Sequence, residues 1–154
     1  MNNITLIAVG ALKNKALQNL AADYQKRIKP YARLQVLETP PAPFSKAEKN
    51  QAKKREKEAL EKVLHRYPKE SIFILAEKGR LFDSSAFSDW LGEYDGRYLV
   101  LLIGGALGWD DGLAAKYPAI SLSPLTFPHE LARVVLLEQL YRGILIRAGK
   151  EYHY

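Results

Sequence analysis

Leu99-Val-Leu-Leu-Ile-Gly-Gly-Ala-Leu-Gly108 joins five large apolar residues to a glycine-rich turn. An uninterrupted run of branched apolar side chains is typical of a strand buried on both faces of a helix-covered sheet. Ligands bind open α/β sheets at the carboxyl ends of such strands. Glycine at that point permits a ligand to approach the backbone closely. A ligand site is therefore the first hypothesis for Gly104-Gly105, and a plain tight turn is the alternative.

The chain on both sides of this segment alternates predicted strands with predicted helices. Strands are expected at residues 4–10, 34–38, 71–76, 97–103 and 119–122, and helices at residues 14–29, 45–65, 83–91, 110–116 and 128–147. This alternation predicts an α/β fold with a mostly parallel sheet and helices on both faces. The chain has 154 residues. We therefore expect residues 1–154 to form a single domain, with the proline cluster at residues 39–43 as a loop within it.

The charge of the chain is uneven. Residues 1–70 contain 15 Lys and Arg against 7 Asp and Glu, whereas residues 71–154 contain 8 against 10. A basic half joined to a slightly acidic half suggests that one part meets a polyanion. The segment Lys46–Lys57 is almost wholly polar and forms either a solvated helix or a mobile basic arm. Charge alone supports nucleic-acid contact and simple solvation equally well.

Several classes of site are excluded by what the sequence lacks. Without cysteine the chain has no disulfide, no thiolate metal site and no cysteine nucleophile. His65, His129 and His153 are too scattered for a metal-ligand pattern. The sequence contains no run of about 18 apolar residues, which is the length needed to span a membrane, and its first residues lack the basic flank of a signal peptide. We therefore expect a cytoplasmic protein with neither a metal nor a membrane segment.

Ile120-Ser-Leu-Ser-Pro-Leu-Thr-Phe-Pro-His-Glu130 is a second candidate binding segment. Here a predicted strand leads into a loop whose apolar side chains and free backbone groups suit an adenine ring. Thr126 is the predicted N-cap of the last helix, and Pro128 is predicted to lie in its first turn. A well-capped helix start explains the same residues without a ligand.

The last helix and the tail contain further candidates. Apolar residues cover nearly the whole circumference of the helix from Glu130 to Ile146, so we expect a partner chain to cover part of it. Within this helix, Arg142 either pairs with Glu138 one turn away or binds substrate. The tail from Arg147 to Tyr154 combines two tyrosines with a histidine. Such side chains can stack on a base and move a proton.

Six segments of the chain form a characteristic set: Ile7–Gly10, Leu75–Gly79, Leu101–Gly108, Leu122–His129, Arg133–Arg142 and Tyr152-His153. With these motifs the chain resembles the RlmH family of the SPOUT methyltransferases, and the resemblance covers essentially its full length, in order and without large gaps. Leu-Thr-Phe-Pro-His, Glu-Gln-x-Tyr-Arg and a terminal Tyr-His form a specific combination. The sequence departs from the family pattern at Tyr154, where a basic residue is usual, and at Lys150-Glu151, where Glu-Pro or Glu-Ala is usual.

This resemblance implies a reaction and a set of partners. Members of the family transfer a methyl group from S-adenosylmethionine to N3 of a pseudouridine in the helix 69 stem-loop of 23S ribosomal RNA, and they act on the assembled ribosome. The implied fold contains a C-terminal trefoil knot that binds the cofactor in a bent form. The implied oligomer is a homodimer, in agreement with the apolar circumference of the last helix.

The resemblance also assigns individual residues. The implied cofactor contacts are Leu75, Gly105, Leu122, Ser123, Pro124, Leu125, Thr126 and Phe127, and the implied residues around the target base are His129, Arg142, Tyr152 and His153. N3 of the base carries a proton that must leave, so a general base or an anion-stabilising cation is needed. His153 or His129 could accept this proton, and Arg142 could stabilise the resulting negative charge.

Two other functions compete with a methyltransferase. A non-catalytic RNA-binding or ribosome-binding factor would use the basic N-terminal half and would bind no S-adenosylmethionine, but it leaves Gly104-Gly105 unexplained. A different nucleotide-dependent α/β enzyme should carry either the Gly-x-Gly-x-x-Gly fingerprint or the Gly-x-x-x-x-Gly-Lys-Ser/Thr phosphate loop. The sequence contains neither pattern.

Overall fold

A computed structural model describes residues 2–152 of the chain. Five strands and five α-helices alternate within these residues: β1 (Asn3–Val9), α1 (Lys15–Ile28), β2 (Arg33–Thr39), α2 (Lys49–Leu64), β3 (Ile72–Leu81), α3 (Ser84–Gly92), β4 (Tyr98–Ile103), α4 (Asp111–Lys116), β5 (Ala119–Ser121) and α5 (His129–Arg147). The alternation predicted from the sequence is confirmed. None of the helices in this part of the chain is both long enough and apolar enough to cross a membrane.

The five strands form one sheet in the order β2-β1-β4-β3-β5, and every neighbouring pair is parallel. The predicted α/β fold with a parallel sheet is therefore confirmed. Side chains alternate between the two faces along each strand. Leu101 packs on the face covered by α1, α3 and α5, whereas Val100 and Leu102 pack on the face covered by α2 and α4. This two-sided burial explains why β4 is a continuous apolar run.

Helix α5 is largely covered by its own chain. Leu136, Leu137 and Leu140 are fully buried in the core shared with α1, α3 and the sheet. The apolar residues that stay partly exposed form a stripe, Leu131, Val135 and Ile146. An apolar circumference therefore does not by itself require a partner chain, because two neighbouring helices and the sheet cover most of it. The homodimer stays a prediction, as does the trefoil knot.

Two predicted helix starts differ from the structure. Thr126 is not the N-cap of α5, which begins at His129 after Pro128 and has no side-chain cap. The extended backbone of Pro128 (ψ 138°) delays the helix, so Thr126 stays in the loop. Helix α2 begins at Lys49, after a short 3₁₀ turn at Lys46–Glu48. Ser45 and Glu48 have the spacing of a capping box, but the Ser45 hydroxyl donates to the Glu48 carboxylate (3.2 Å) and caps no backbone N–H.

A buried arginine fixes the start of α5 to the sheet. Arg133 is only 5% exposed. Its guanidinium donates to Oε1 of Glu38 at the end of β2 (2.5 Å) and to the carbonyl of Gly10 just after β1 (2.7 Å). Glu130, one turn earlier, accepts the N–H groups of residues 13 and 14 before α1. These bonds hold the first turn of α5 at the carboxyl edge of the sheet, next to the loop that precedes it.

Replacing Arg133 with methionine should destabilise the fold by about 1–3 kcal/mol, since the Gly10 carbonyl loses its buried donor. Urea unfolding measures this free energy. The matched control is Arg27→Met, which removes the exposed Arg27–Asp23 pair on α1 and should cost about 0.5 kcal/mol or less. Equal losses in the two variants would contradict the role given to Arg133.

Candidate functional site

A cavity of about 670 Å³ opens at the carboxyl ends of β3, β4 and β5. This volume lies within the range of roughly 300–1,000 Å³ that is usual for small-molecule sites. The lining includes seven of the eight cofactor residues predicted from the sequence, together with His129: Leu75, Gly105, Leu122, Ser123, Leu125, Thr126 and Phe127. Pro124 belongs to the same loop but is not part of the lining.

The glycine turn after β4 forms one wall of the cavity together with Trp109. A Cβ atom on Gly104 would lie 3.2 Å from the Trp109 indole, and one on Gly105 would lie 3.2 Å from a methyl group of Val9. The Trp109 Nε1–H donates to the carbonyl of Leu75 in the neighbouring strand β3 (2.9 Å). Glycine at residues 104 and 105 therefore lets Trp109 and Val9 pack closely on the turn, and any larger residue would require these side chains to shift.

Trp109 was not predicted as a site residue. It directly follows the glycine-rich segment 104–108, and it lines the cavity. An indole N–H that is partly buried usually finds an acceptor, which here is a backbone carbonyl. The sequence signal was the aromatic residue next to Gly108. Its hydrogen bond to β3 could not be predicted, because the bond depends on the order of strands in the sheet.

The loop after β5 forms the opposite wall. The Ser121 hydroxyl lies 3.0 Å from the carbonyl of Glu77 and 2.9 Å from that of Ser123. The Ser123 hydroxyl in turn accepts the N–H of Leu125 (3.0 Å). Leu125 is 70% exposed at the rim. Hydrogen bonds within the chain thus order this loop, and it contributes an exposed apolar side chain at the cavity; an adenine site there stays a prediction.

A β-bulge in β3 brings its end close to β5. Ile120 pairs with both Leu75 and Arg80, so the residues between them are extra. Gly79 lies in this bulge, and a Cβ atom there would be 2.5 Å from the carbonyl carbon of Ile120. The same bulge places Glu77 and Lys78 in the cavity lining. The predicted strand ended at residue 76, and the observed strand continues to Leu81 because of this pairing.

Asp110 orders the exit from the glycine turn. It caps α4 by accepting the N–H groups of Gly112 (2.9 Å) and Leu113 (3.2 Å), and Lys57 of α2 lies 3.5 Å from the same oxygen. Desolvation opposes ionisation of Asp110, but the N–H groups of residues 113 and 112 and the Lys57 ammonium outweigh it and lower the pKa of this carboxyl. The carboxylate therefore stays charged and links α2 to the cavity rim.

Arg142 and Tyr152 form a second cluster near the end of α5. The Arg142 guanidinium donates to Oε1 of Glu138 from Nη2 (2.6 Å) and Nε (3.0 Å), and to the Tyr152 carbonyl from Nη1 (3.1 Å). Its Cζ atom lies 4.7 Å from the centre of the Tyr152 ring. Three of its five N–H donors are thus used, and two remain for another acceptor. The predicted ion pair with Glu138 is confirmed.

The structure separates the two groups of predicted catalytic residues. His129 and Arg142 lie on the same helix, and 13 residues of α-helix place them about 20 Å apart along its axis. His129 lines the cavity, whereas Arg142 and Tyr152 do not. His153 lies outside the described residues. Among residues 2–152, no cluster of three or more histidine, aspartate and glutamate side chains could hold a metal ion.

Replacing Gly79 with alanine should destabilise the fold by about 1–3 kcal/mol and disrupt the pairing of β3 with β5, because backbone atoms cannot give way to the new methyl group. Urea unfolding and amide hydrogen exchange of residues 119–121 measure these effects. Gly112→Ala is the control. Its Cβ atom would meet Nζ of Lys57 at 2.8 Å and Oδ1 of Asp110 at 3.1 Å, which are side-chain ends and not backbone. It should cost less than Gly79→Ala, since these side chains can shift and alanine favours helix. An unchanged free energy of unfolding in Gly79→Ala would contradict this role for the bulge.

Comparison with known proteins agrees with this architecture. The family described as "Predicted SPOUT methyltransferase" matches residues 2–153. Proteins named ribosomal RNA large subunit methyltransferase H are similar over nearly the full length. That from Clostridium acetobutylicum is 39% identical over 98% of this chain and 99% of its own length. That from Gloeobacter violaceus is 38% identical over 98% of each chain. The chain therefore belongs to the SPOUT methyltransferase family.

Proposed function

We propose that this protein transfers a methyl group from S-adenosylmethionine to large-subunit ribosomal RNA. The finer proposal is N3 of a pseudouridine in the helix 69 stem-loop of 23S ribosomal RNA, modified in the assembled ribosome and hence in the cytoplasm. The observation that carries the proposal is the cavity, which gathers residues from three strand ends that the resemblance had assigned to the cofactor. Family membership and the names of the relatives support the same reaction.

The cavity fits S-adenosylmethionine in size and in chemistry. Leu122, Leu125 and Phe127 offer carbon surfaces to the adenine ring, and the loop backbone offers amides to its edge. The turn at residues 104–105 allows a close approach of the ligand, since neither residue carries a Cβ atom. Glu77 and Lys78 both belong to the lining, so the cavity offers one residue of each charge to a ligand that carries both a cationic and an anionic group. The cofactor supplies a methyl group on a sulfonium sulfur, which leaves as a neutral thioether.

The protein must orient the base and remove one proton. His129 is half-buried in the cavity lining and is therefore a candidate acceptor for the N3 proton. His153 is the other candidate from the sequence. Arg142 is held by Glu138 and retains two donors, so it can stabilise negative charge on the ring as the proton leaves. The Tyr152 ring packs edge-on against Tyr141, with 5.2 Å between the ring centres, and this contact supports the ring on which Arg142 lies.

We further propose that each active site is shared between two copies of the chain. His129 and Arg142 are about 20 Å apart along one helix, which is too far for both to contact one base. A second copy whose α5 crosses the first could bring its own Arg142 to the cavity. On one side of α5, Leu131 and the partly exposed Val135 and Ile146 are interspersed with Glu138 and Arg142, so this side offers a mixed apolar and polar surface for such a contact. The homodimer would then be required for the reaction and not only for stability.

The reaction is tested by incubating the protein with radiolabelled S-adenosylmethionine and ribosomes that lack the modification. We expect one methyl group on a single pseudouridine of 23S ribosomal RNA, located by nuclease digestion and mass spectrometry. Thr126→Arg places a long side chain in the cavity lining at an exposed residue, so it should abolish cofactor binding without unfolding the protein. Cofactor binding by the wild type without any transfer to ribosomal RNA would reject the proposed substrate.

The shared site is tested with mixed dimers of Thr126→Arg and Arg142→Ala chains, purified through two different tags. If residues from both copies form each site, one site of the mixed dimer carries both defects and the other carries none. We therefore expect about half the wild-type activity per dimer, whereas each pure variant is inactive. If each site uses residues of one copy, the mixed dimer is also inactive, and the proposal is wrong.

A further inference from the structure

The first half of α2 carries a concentration of positive charge that the proposed active site does not use. Six lysines and arginines lie between residues 46 and 57, against Glu48 and Glu56. Glu56 is only 5% exposed, and Glu48 is bonded by the Ser45 hydroxyl (3.2 Å). Among the described residues, Lys57 is the only one of these cations with a carboxylate within 4 Å. The surface is therefore strongly basic.

Three of these residues form one face, which we call the lysine stripe: Lys46, Lys49 and Lys53. Lys49, Lys53 and Lys57 follow each other at intervals of four residues, so they project from the same side of the helix. Lys57 shows where this side points, because its ammonium reaches Asp110 at the start of α4. Asp110 directly follows Trp109 and Gly108 of the cavity lining. The stripe thus points toward the rim of the candidate cofactor site.

Helix α2 carries the stripe beyond the sheet. Strands β2 and β3 are parallel, so α2 runs from the carboxyl edge back to the amino edge. Leu60 and Leu64 pack on the sheet, whereas Lys57 is level with the carboxyl edge through Asp110. At 1.5 Å per residue, Lys53 and Lys49 lie about 6 and 12 Å further along the axis. The stripe therefore stands beside the mouth of the cavity.

The stripe is held in place by a buried carboxyl group. Oε1 of Glu56 accepts the N–H of Ala42 in the proline-rich loop after β2 (3.1 Å). Burial raises the pKa of Glu56, while the Ala42 N–H and the charge of Lys53 lower it. Ala52 is also buried on this side of the helix. The sequence left open a mobile arm or a solvated helix, and the structure shows a helix packed against a loop.

The charge arrangement is unfavourable for the helix itself. Like charges four residues apart destabilise a helix. Cations near a helix N-terminus also oppose the helix dipole, and the first turn of α2 has no acidic residue. Sequences that break such local rules often do so at functional sites. Because these lysines destabilise the helix that carries them, their presence suggests that they bind an anion outside the protein.

We propose that the lysine stripe binds phosphates of the ribosomal RNA that delivers the target nucleotide to the cavity. This inference rests on the proposed function, since it assumes that the cavity is the methyl-transfer site. An RNA backbone presents a row of negative charges at a spacing that lysines on successive helix turns can follow. Lysine contacts to phosphate supply affinity without sequence specificity. The stripe would thus determine how tightly RNA is held, and the cavity would determine which base reacts.

The test is a triple variant, Lys46→Gln, Lys49→Gln and Lys53→Gln. Loss of three phosphate contacts should raise the Kd for deproteinised large-subunit ribosomal RNA about 100-fold at about 0.1 M salt and reduce the slope of log Kd against log salt by about 2 to 3. The KM for ribosomes that lack the modification should rise with it. The Kd for S-adenosylmethionine and the kcat at saturating ribosomes should not change.

The matched control neutralises three exposed cations at the other end of the same helix and just after it: Lys62→Gln, Arg66→Gln and Lys69→Gln. We expect wild-type RNA binding, because these residues lie toward the amino edge of the sheet. Urea unfolding gives a second control. The stripe variant should be at least as stable as the wild type, since it removes like-charge repulsion. If the three lysines served only to stabilise the fold, the variant would be less stable than the wild type.

The outcomes separate this inference from the proposed function. An unchanged Kd and salt slope in the stripe variant, or an equal loss in the control, would overturn the inference while methyl transfer stands. If the stripe variant bound intact ribosomes more weakly but deproteinised RNA as tightly as the wild type, the inference would also be overturned. That result would point to an acidic protein as the partner. If the wild type binds the RNA through the stripe but transfers no methyl group, the proposed function fails and the stripe remains. If it binds no ribosomal RNA, both fail.

Discussion

Five parallel strands place every strand-to-helix connection at one edge of the sheet. The turn after β4, the loop after β5 and the loop after β2 all emerge there, and so does the first turn of α5 held by Arg133. This constraint explains why residues far apart in sequence line one cavity. It also explains why α2, which returns from that edge, begins beside the cavity and not on the opposite side of the molecule.

Close contacts at two glycines shape the carboxyl edge of the sheet. Gly79 lets β3 and β5 approach more closely than a methyl group would permit, and Gly104 lets the Trp109 ring lie against the turn. The hydrogen bond from Trp109 to Leu75 then joins the segment after β4 to the neighbouring strand β3. A rigid wall of this kind suits a reaction that depends mainly on positioning, because an activated methyl donor needs orientation more than it needs a nucleophilic side chain.

Much of this was predictable because it depends on local patterns. The apolar run before Gly104 indicated a buried strand, and the alternation of elements indicated a parallel α/β sheet. The contribution of Trp109 depends on strand order, and the coverage of α5 depends on the neighbouring helices, so neither followed from the sequence. The separation of about 20 Å between His129 and Arg142, in contrast, follows from the sequence, because both residues lie in one predicted helix that rises about 1.5 Å per residue. The resemblance groups the two residues around one base without regard to this distance.

The central claim is that the cavity at the ends of β3, β4 and β5 binds the methyl donor. Titration of ¹⁵N-labelled protein with S-adenosylmethionine, followed by ¹H–¹⁵N correlation spectra, tests it directly. We expect the largest shifts at the amides of residues 75–78, 104–109, 121–123 and 125–127, with those of Lys26, Lys29 and Arg33 unchanged. The latter three residues line a separate groove between α1 and the sheet. Shifts confined to that groove, or no shifts at saturating cofactor, would contradict the claim.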